Sequence, residues 1–218
     1  MSALRIMIAD DHDVVREGLR VLLQKHKDWE VCAEAVNGRE AVEKARESKP
    51  DIVVMDFSMP ELNGLDATRQ IRKILPQTEV LILTMHDSEQ LVRELLEAGA
   101  RGYLVKTDAC RHLVPAVLSF ADHKPYFASK VSSLLLNAFL KPGSRPPSAR
   151  VMSGRLTPRE REIVQLVAEG KASKEIAVTL NIALKTVNAH RANIMNKLDL
   201  HSLGELVLYA VRNKLVQP

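Results

Sequence analysis

The sequence predicts an α/β fold, a doubly wound parallel sheet, joined to a small all-α domain. Three observations support this. Short apolar runs alternate with amphipathic helical patterns over residues 1–122, and after a Pro- and Gly-rich stretch only helical patterns recur. Acidic side chains outnumber basic ones in residues 1–122, whereas residues 123–154 contain no acidic side chain and residues 155–218 are net basic. The two ends of the chain therefore suit different partners, and the basic end is a candidate for nucleic acid.

Five runs rich in Val, Ile and Leu predict strands with both faces buried. They span residues 4–9, 31–36, 51–55, 80–83 and 102–105. Helical spacing predicts a first helix with Val15, Leu19, Leu22 and Leu23 on one face, and others near 38–47, 65–74, 88–98 and 109–121. Five such pairs in a domain of this size predict a flavodoxin-like (βα)5 sheet with the strand order 2-1-3-4-5.

Polar side chains stand where four of these strands end. They are Asp10 and Asp11 after the first strand, Asp56 after the third, Thr84 after the fourth and Lys106 after the fifth. Because the carboxyl ends of parallel strands share one edge, these side chains are expected to meet. Crowded carboxylates repel one another unless a cation neutralises them, and oxygen ligands suit Mg²⁺. A metal, a carboxylate nucleophile, a hydroxyl and an ammonium together predict phosphoryl transfer.

On the order and spacing of these residues, residues 4–122 resemble the receiver domain of two-component response regulators. The resemblance implies that Asp56 is the phosphoacceptor. It also implies that Asp11, Asp56 and the Ser58 backbone carbonyl bind Mg²⁺, with Asp10 acting mostly through water. The expected donor of the phosphoryl group is a sensor histidine kinase.

The same resemblance assigns roles to three further residues. Lys106 is expected to pair with the phosphoryl group, and the Thr84 hydroxyl to move toward it. Tyr103 matches the aromatic switch residue that turns inward when Thr84 moves. His86, two residues after Thr84, is interpreted as an ordinary loop histidine.

A phosphatase of the haloacid dehalogenase type also uses an aspartyl nucleophile and is the enzymatic alternative. Phosphatases of that class carry a D-x-D motif, in which the first Asp is the nucleophile and the second is a general acid. Ser58 occupies this position after Asp56, so the proton donor is absent. The sequence therefore argues against a turnover enzyme.

Residues 123–154 predict a linker. Residues 129–140 show helical spacing and predict one short helix. Residues 141–148 are punctuated by Pro and Gly and have little to bury, which predicts a tether.

Residues 155–218 predict a helical DNA-binding domain. Thr157, Pro158 and Glu160 predict a helix start with a capping box. Gly170 is expected to end this helix, and Ser173 to cap the next one. A third helix over 184–198, reached by a short turn at Asn181, completes a helix-turn-helix pattern.

The third helix carries the candidate DNA contacts. Its motif, with those around residues 156–160 and 174–177, is similar to the LuxR-type DNA-binding domain, and the chain as a whole resembles the NarL/FixJ family of response regulators. The expected DNA-binding residues are Lys185, Thr186, Asn188, Ala189, Arg191 and Ala192. Two positions depart from the family pattern: Asn181 replaces the usual Gly, and Ala183 replaces a capping Ser, at a cost of about 1 kcal/mol.

The last predicted helix, 203–215, has an apolar stripe wider than one face needs. In the family this helix pairs two DNA-binding domains. The expected dimerisation residues are Leu203, Val207, Val211 and Leu215. Packing inside its own domain is the alternative.

Taken together, these patterns predict a phosphorylation-switched transcription factor that binds double-stranded DNA as a homodimer. The Cys content, the absence of a signal-peptide pattern and the lack of a long apolar run predict a cytoplasmic protein without membrane contact. Two alternatives remain open. One is an atypical regulator controlled by partner binding, and the other is a signalling adaptor without a DNA target.

Overall fold

The computed structural model describes residues 3–85, 89–127 and 156–216. The chain forms two compact units, an α/β unit and a helical unit. The predicted helix over 129–140, the Pro- and Gly-rich segment 141–148 and His86 lie outside the described residues. Within the described part of the chain, no helix is both long and apolar enough to cross a membrane.

The α/β unit is built on one parallel sheet, which has six strands over the described residues. The strands are β1 (Leu4–Ala9), β2 (Trp29–Ala35), β3 (Ile52–Asp56), β4 (Glu79–Thr84), β5 (Gly102–Val105) and β6 (Tyr126–Phe127). They lie in the order β2-β1-β3-β4-β5-β6, and every adjacent pair is parallel. The flavodoxin-like order predicted for the first five strands is confirmed.

The sixth strand corrects the predicted boundary of the linker, because β6 falls within residues assigned to it. Tyr126 pairs with Gly102, and Phe127 pairs with Tyr103. A β-carbon on Gly102 would lie 2.6 Å from Cζ of Phe120 and 3.0 Å from the backbone oxygen of Tyr126, so glycine permits this approach. A strand of two residues is too short to show a hydrophobic periodicity in the sequence. Tyr126 and Phe127 are recognised as a strand only from their pairing with β5.

Five helices accompany the sheet in the described residues. They are α1 (Asp13–Leu23), α2 (Gly38–Ser48), α3 (Gly64–Ile74), α4 (Glu89–Glu97) and α5 (Ala109–Ala121). A short 3₁₀ turn, Lys106–Asp108, joins β5 to α5. The side chains of β3 and β4 are buried throughout, since helices cover both faces, and this explains their continuous apolar runs.

The helical unit contains α6 (Pro158–Ala168), α7 (Ser173–Thr179), α8 (Leu184–Leu198) and α9 (Leu203–Arg212). The capping box of Thr157 and Glu160 is present at the start of α6, as predicted. Asn181 adopts the left-handed conformation, with φ of 50°, at the turn between α7 and α8. The core of this unit includes Ile163, Leu166, Ile176, Val187, Ile194 and Leu206.

Two predicted helix boundaries in this unit are wrong. Ser173 is the first residue of α7 and Ala172 holds the capping position, where its backbone N–H donates to the Glu175 carboxylate instead. The last helix ends at Arg212 rather than at residue 215. Its start carries a capping box of Ser202 and Glu205, a pattern that is visible in the sequence.

Candidate functional site

The polar residues at the strand ends share one edge of the sheet. Asp10 follows β1, Asp56 ends β3, Thr84 ends β4 and Lys106 follows β5. The register places Asp56 beside Leu83 and Thr84 beside Val105, so neighbouring strands stop at nearly the same level. Each apolar strand is therefore followed or ended by a polar residue, and these polar residues lie together at the carboxyl edge of the sheet.

Lys106 links the two buried carboxylates. Its Nζ lies 2.7 Å from Oδ2 of Asp10 and 2.9 Å from Oδ2 of Asp56. Both carboxylates are almost fully buried, and the Lys106 side chain is only 13% exposed. The ammonium thus reduces the repulsion between two negative charges that have lost most of their water.

Burial raises the pKa of the Asp56 carboxyl to about 6, and the Asp10 carboxylate adds to the rise. The Lys106 ammonium and a hydrogen bond from the Ser58 backbone oppose it. Asp56 is therefore mainly ionised near neutral pH, but at a higher energy than a solvated carboxylate. An ionised oxygen of this kind is the form that can act as a nucleophile.

Burial lowers the pKa of Lys106, but the hydrogen bond to Asp10 and the negative charge of Asp56 outweigh it, so the pKa is raised overall. The side chain is charged throughout the neutral range. A fixed positive charge beside Asp56 is suited to bind an anionic group held there.

Four residues at this edge could hold a metal ion. Ligand atoms of Asp10, Asp11, His12 and Asp56 all lie within 4.8 Å of one another. Asp11 and His12 are exposed and Asp10 and Asp56 are buried, so the cluster opens to solvent on one side. Crowded carboxylate oxygens that keep access to water suit a divalent cation.

His12 belongs to this cluster, although it is not among the predicted site residues. Its backbone N–H donates to Oδ1 of Asp10 at 2.9 Å, and its Nδ1 lies 2.9 Å from Oδ1 of Asp11. The only signal in the sequence is its position directly after Asp11. The histidine therefore helps to fix the two carboxylates before α1 begins.

Thr84 and Tyr103, the predicted switch residues, are both buried in the sheet. Thr84 is 1% exposed at the end of β4, and Tyr103 is 1% exposed within β5. Ser58 is half-buried in the loop after Asp56, where its backbone contacts the carboxylate. Apart from Tyr103, which lies within β5, the residues predicted for the phosphorylation site thus lie at or beside one edge of the sheet.

The helical unit presents the residues predicted to contact DNA on α8. Lys185, Thr186, Asn188, Ala189 and Ala192 are exposed, whereas Val187 and Ile194 face the core. Arg191 differs, because its guanidinium is half-buried and donates to the Ser173 hydroxyl at 2.6 Å. It ties α8 to the start of α7 and so helps to set the angle between these helices.

One ion pair joins α8 to α6, and one arginine joins α6 to α7. Nζ of Lys197 lies 2.9 Å from Oε2 of Glu160, which is the capping residue of α6. Arg159 donates to the Glu162 carboxylate at 2.7 Å and to the Leu180 backbone carbonyl at 2.8 Å. The second contact satisfies a carbonyl at the end of α7. The Lys197–Glu160 pair thus helps to hold α8 in the unit without using its exposed polar residues.

The predicted dimerisation residues on and after α9 do not behave alike. Leu203 is 54% exposed and Val207 and Val211 are half-buried. Leu215 is only 8% exposed and packs in the core of its own unit, so its assignment to a dimer surface is corrected. Leu208, which is not among the predicted dimerisation residues, is also 54% exposed.

Two protein families match the chain. Residues 6–118 match the response regulator receiver domain. Residues 154–210 match the bacterial regulatory proteins of the luxR family. The two matches fall on the α/β unit and on the helical unit, in the order that the sequence predicts.

Curated relatives match the chain over nearly its whole length. The oxygen regulatory protein NreC of Staphylococcus haemolyticus is 42% identical over 215 residues, which cover 98% of this chain and 99% of the relative. NreC of Staphylococcus epidermidis is 40% identical over 220 residues, covering 98% and 100%.

Solved structures of response regulators also resemble it. RcsB of Salmonella typhimurium is 26% identical with a TM-score of 0.58, over 97% of this chain and 100% of that one. An RcsB–DNA complex is 25% identical with a TM-score of 0.58, over 95% and 98%. ChrA of a heme-sensing two-component system is 32% identical with a TM-score of 0.51, over 99% and 100%.

Proposed function

The chain belongs to the NarL/FixJ family of two-component response regulators, and we propose that phosphoryl transfer to Asp56 switches its activity as a DNA-binding transcription regulator. One observation carries the proposal. Lys106 bridges the buried Asp10 and Asp56 at the carboxyl edge of a sheet whose chain also carries a helix-turn-helix unit. A protein that only binds DNA would not need this buried cluster of two carboxylates and a lysine.

The proposed reaction begins with a phosphohistidine of a sensor histidine kinase. An Asp56 carboxylate oxygen attacks the phosphorus, the P–N bond to the kinase histidine breaks, and an acyl phosphate forms. The Lys106 ammonium holds a phosphoryl oxygen, and Thr84 supplies a hydroxyl at the end of the neighbouring strand. The leaving group is the imidazole nitrogen of the kinase histidine, which keeps the electron pair of the broken P–N bond and takes up a proton from water.

The proposed cofactor is Mg²⁺. Asp10, Asp11, Asp56 and the Ser58 carbonyl would hold it, and the clustered acidic atoms support this assignment. When bound, the ion supplies positive charge that offsets the carboxylates and the phosphoryl oxygens. The chain contributes the carboxylates in a fixed arrangement, and Lys106 keeps its charge among them.

The proposed output is a change in the α4–β5 surface. Thr84 and Tyr103 lie on adjacent strands, and both side chains are buried, so neither can move without repacking its neighbours. Movement of Thr84 toward a phosphoryl group would therefore alter the packing around Tyr103. In this proposal, that change frees the helical unit to bind DNA as a dimer.

The proposed DNA-reading element is α8. Its exposed Lys185, Thr186 and Asn188 supply phosphate and base-edge contacts, and the Ala189 and Ala192 methyl groups suit contact with a thymine methyl. The proposed dimer surface comprises Leu203, Val207, Leu208 and Val211. The solved RcsB–DNA complex contains a response regulator bound to DNA, which supports this use of the fold.

The direct test is chemical. The purified protein is incubated with a small phosphodonor and Mg²⁺, and the base-labile acyl phosphate is located by mass spectrometry. The proposal expects one phosphoryl group on Asp56, which is lost in Asp56→Asn and when EDTA removes the metal. Equal modification of Asp56→Asn would overturn it.

A further inference from the structure

We propose that Arg16 is a positioning residue for the acidic pair Asp10 and Asp11, acting through the backbone of Asp10. This inference rests on the proposed phosphoacceptor function and deepens it. Arg16 lies in the first half of α1, outside the strand ends that supply the reactive groups. Its guanidinium Nη1 donates to the backbone carbonyl of Asp10 at 2.8 Å.

The Asp10 carbonyl needs such a partner. The preceding residue, Ala9, is the last one that pairs in β1, so the carbonyl of Asp10 lies beyond the sheet. Because Asp10 is fully buried, its backbone carbonyl needs a hydrogen-bond donor from the protein. Arg16 replaces the hydrogen bond that the sheet no longer provides.

The other polar atoms of Asp10 are also held. Its backbone N–H donates to the Ala35 carbonyl at 3.1 Å, its Oδ1 accepts from the His12 N–H at 2.9 Å, and its Oδ2 lies 2.7 Å from Nζ of Lys106. Three elements, β2, the start of α1 and the segment after β5, thus meet on one residue. Arg16 provides the fourth contact, and it controls the direction of the chain as it enters Asp11.

The guanidinium itself is held in place. Nη2 of Arg16 pairs with Oδ1 of Asp13, and Nε lies 3.7 Å from Oε2 of Glu34 on β2. The Arg16 side chain is 13% exposed. The planar guanidinium has several N–H groups, so it can contact the Asp10 carbonyl and the carboxylates of Asp13 and Glu34 at once. A lysine ammonium cannot match this geometry.

Arg20 offers a matched control. It lies one helical turn further along α1, pairs with Glu17, and its Nε lies 3.8 Å from the same Glu34. None of its described contacts reaches Asp10. Arg20→Gln therefore removes the same charge and a similar contact with Glu34, but leaves the carbonyl contact in place.

The experiment measures Mg²⁺ binding to the full chain by titration calorimetry, with thermal unfolding in EDTA as a check on folding. We expect Arg16→Gln to weaken Mg²⁺ binding by about tenfold, the lower end of the effect of residues that orient metal ligands. Arg16→Lys should give most of the same loss, since it keeps the charge but not the fork. Arg20→Gln should bind as the wild type does.

Phosphorylation by a small phosphodonor gives a second readout across a range of Mg²⁺ concentrations. Arg16→Gln should raise the half-saturating Mg²⁺ concentration by about the same factor, with most of the maximal rate restored at saturation. A wild type that binds Mg²⁺ but takes up no phosphoryl group would overturn the proposed function, while the calorimetric comparison would still decide the role of Arg16. Equal Mg²⁺ affinity in the wild type and Arg16→Gln, or full rescue by Arg16→Lys, would overturn the inference.

Discussion

Gly64 lies so close to the Asp56 backbone that a β-carbon at Gly64 would stand 2.1 Å from the Asp56 carbonyl oxygen. The Gly64 N–H also donates to the Phe57 carbonyl at 2.8 Å, which folds the loop after β3 back onto its strand. Asn63 caps α3 at the same place and accepts from the Asp66 N–H at 2.9 Å. The end of β3 and the start of α3 therefore cannot move independently.

The first prediction concerns Gly64→Ala. The added methyl group must displace backbone rather than a flexible side chain, so we expect a loss of about 1–3 kcal/mol in the free energy of unfolding. Phosphorylation of Asp56 should slow because the carboxylate is displaced. Urea unfolding and phosphodonor kinetics measure both effects.

Gly18→Ala is the control for that substitution. A β-carbon on Gly18 would meet nothing within 4 Å, and the residue lies inside α1. Alanine there should be neutral or should stabilise by up to about 1 kcal/mol. Similar losses in both variants would mean that contact with Asp56 is not the cause.

The second prediction concerns Lys106→Met. Without the ammonium, the pKa of Asp56 should rise further and the phosphoryl oxygens should lose a fixed charge. We expect phosphorylation by a small donor to slow by about 100-fold, the effect of removing one preorganised charge donor. Lys124→Met, which removes an exposed lysine paired with Asp122, should change nothing. A Lys106→Met rate within about threefold of the wild-type rate would remove Lys106 from the mechanism.

The third prediction is a pH dependence of the helical unit. Burial raises the pKa of Glu160, but hydrogen bonds from the Thr157 backbone and from Lys197 outweigh it, so the pKa is lowered overall. A carboxyl group whose folded pKa is lowered stabilises the fold above its unfolded pKa of about 4.3. This stabilisation disappears as the pH falls through the lower folded pKa.

Glu160→Gln should therefore be less stable than the wild type at pH 7, and the difference should shrink as the pH falls below about 4.3. Urea titrations followed through the amide signals of α6 measure the helical unit separately. Lys197→Met removes one hydrogen bond to the Glu160 carboxylate, so this variant should show part of the stability loss of Glu160→Gln at pH 7. A gap between wild type and Glu160→Gln that stays constant from neutral to acid pH would contradict the assignment.

The fourth prediction separates two kinds of DNA contact on α8. Lys185→Ala should weaken binding to all duplexes and lower the slope of log K against log salt by about 1, because one phosphate contact is lost. Asn188→Ala should cost about 1–3 kcal/mol on the operator and little on unrelated DNA. Lys25→Ala removes one exposed charge from the α/β unit and serves as the control. Equal effects of all three variants would argue against reading by α8.

The sheet and the grouping of acidic residues could be predicted from the sequence for a simple physical reason. Each buried strand is an uninterrupted apolar run, and the first polar residue after it marks the carboxyl edge. Asp10 and Asp56 follow their runs directly, so the shared edge brings them together. The helix start at Thr157 was equally readable, because its capping box is a local pattern.

Contacts that depend on tertiary geometry could not be predicted. Arg16 lies on an exposed-looking stretch of α1, and nothing in the sequence indicates that it donates to the Asp10 carbonyl. The two residues of β6 form a strand only because β5 offers a free edge. The apolar stripe of the last helix continues through Leu215 and predicts a surface position, yet α9 ends before this residue, which packs in the core of its unit.

The most direct test of a phosphorylation-gated regulator is capture of genomic fragments by the purified protein in Mg²⁺, with and without beryllofluoride. We expect operators to be enriched by the wild type only with beryllofluoride, and by Asp56→Asn under neither condition. Equal enrichment with and without beryllofluoride, or by Asp56→Asn as by the wild type, would show that Asp56 does not control DNA binding.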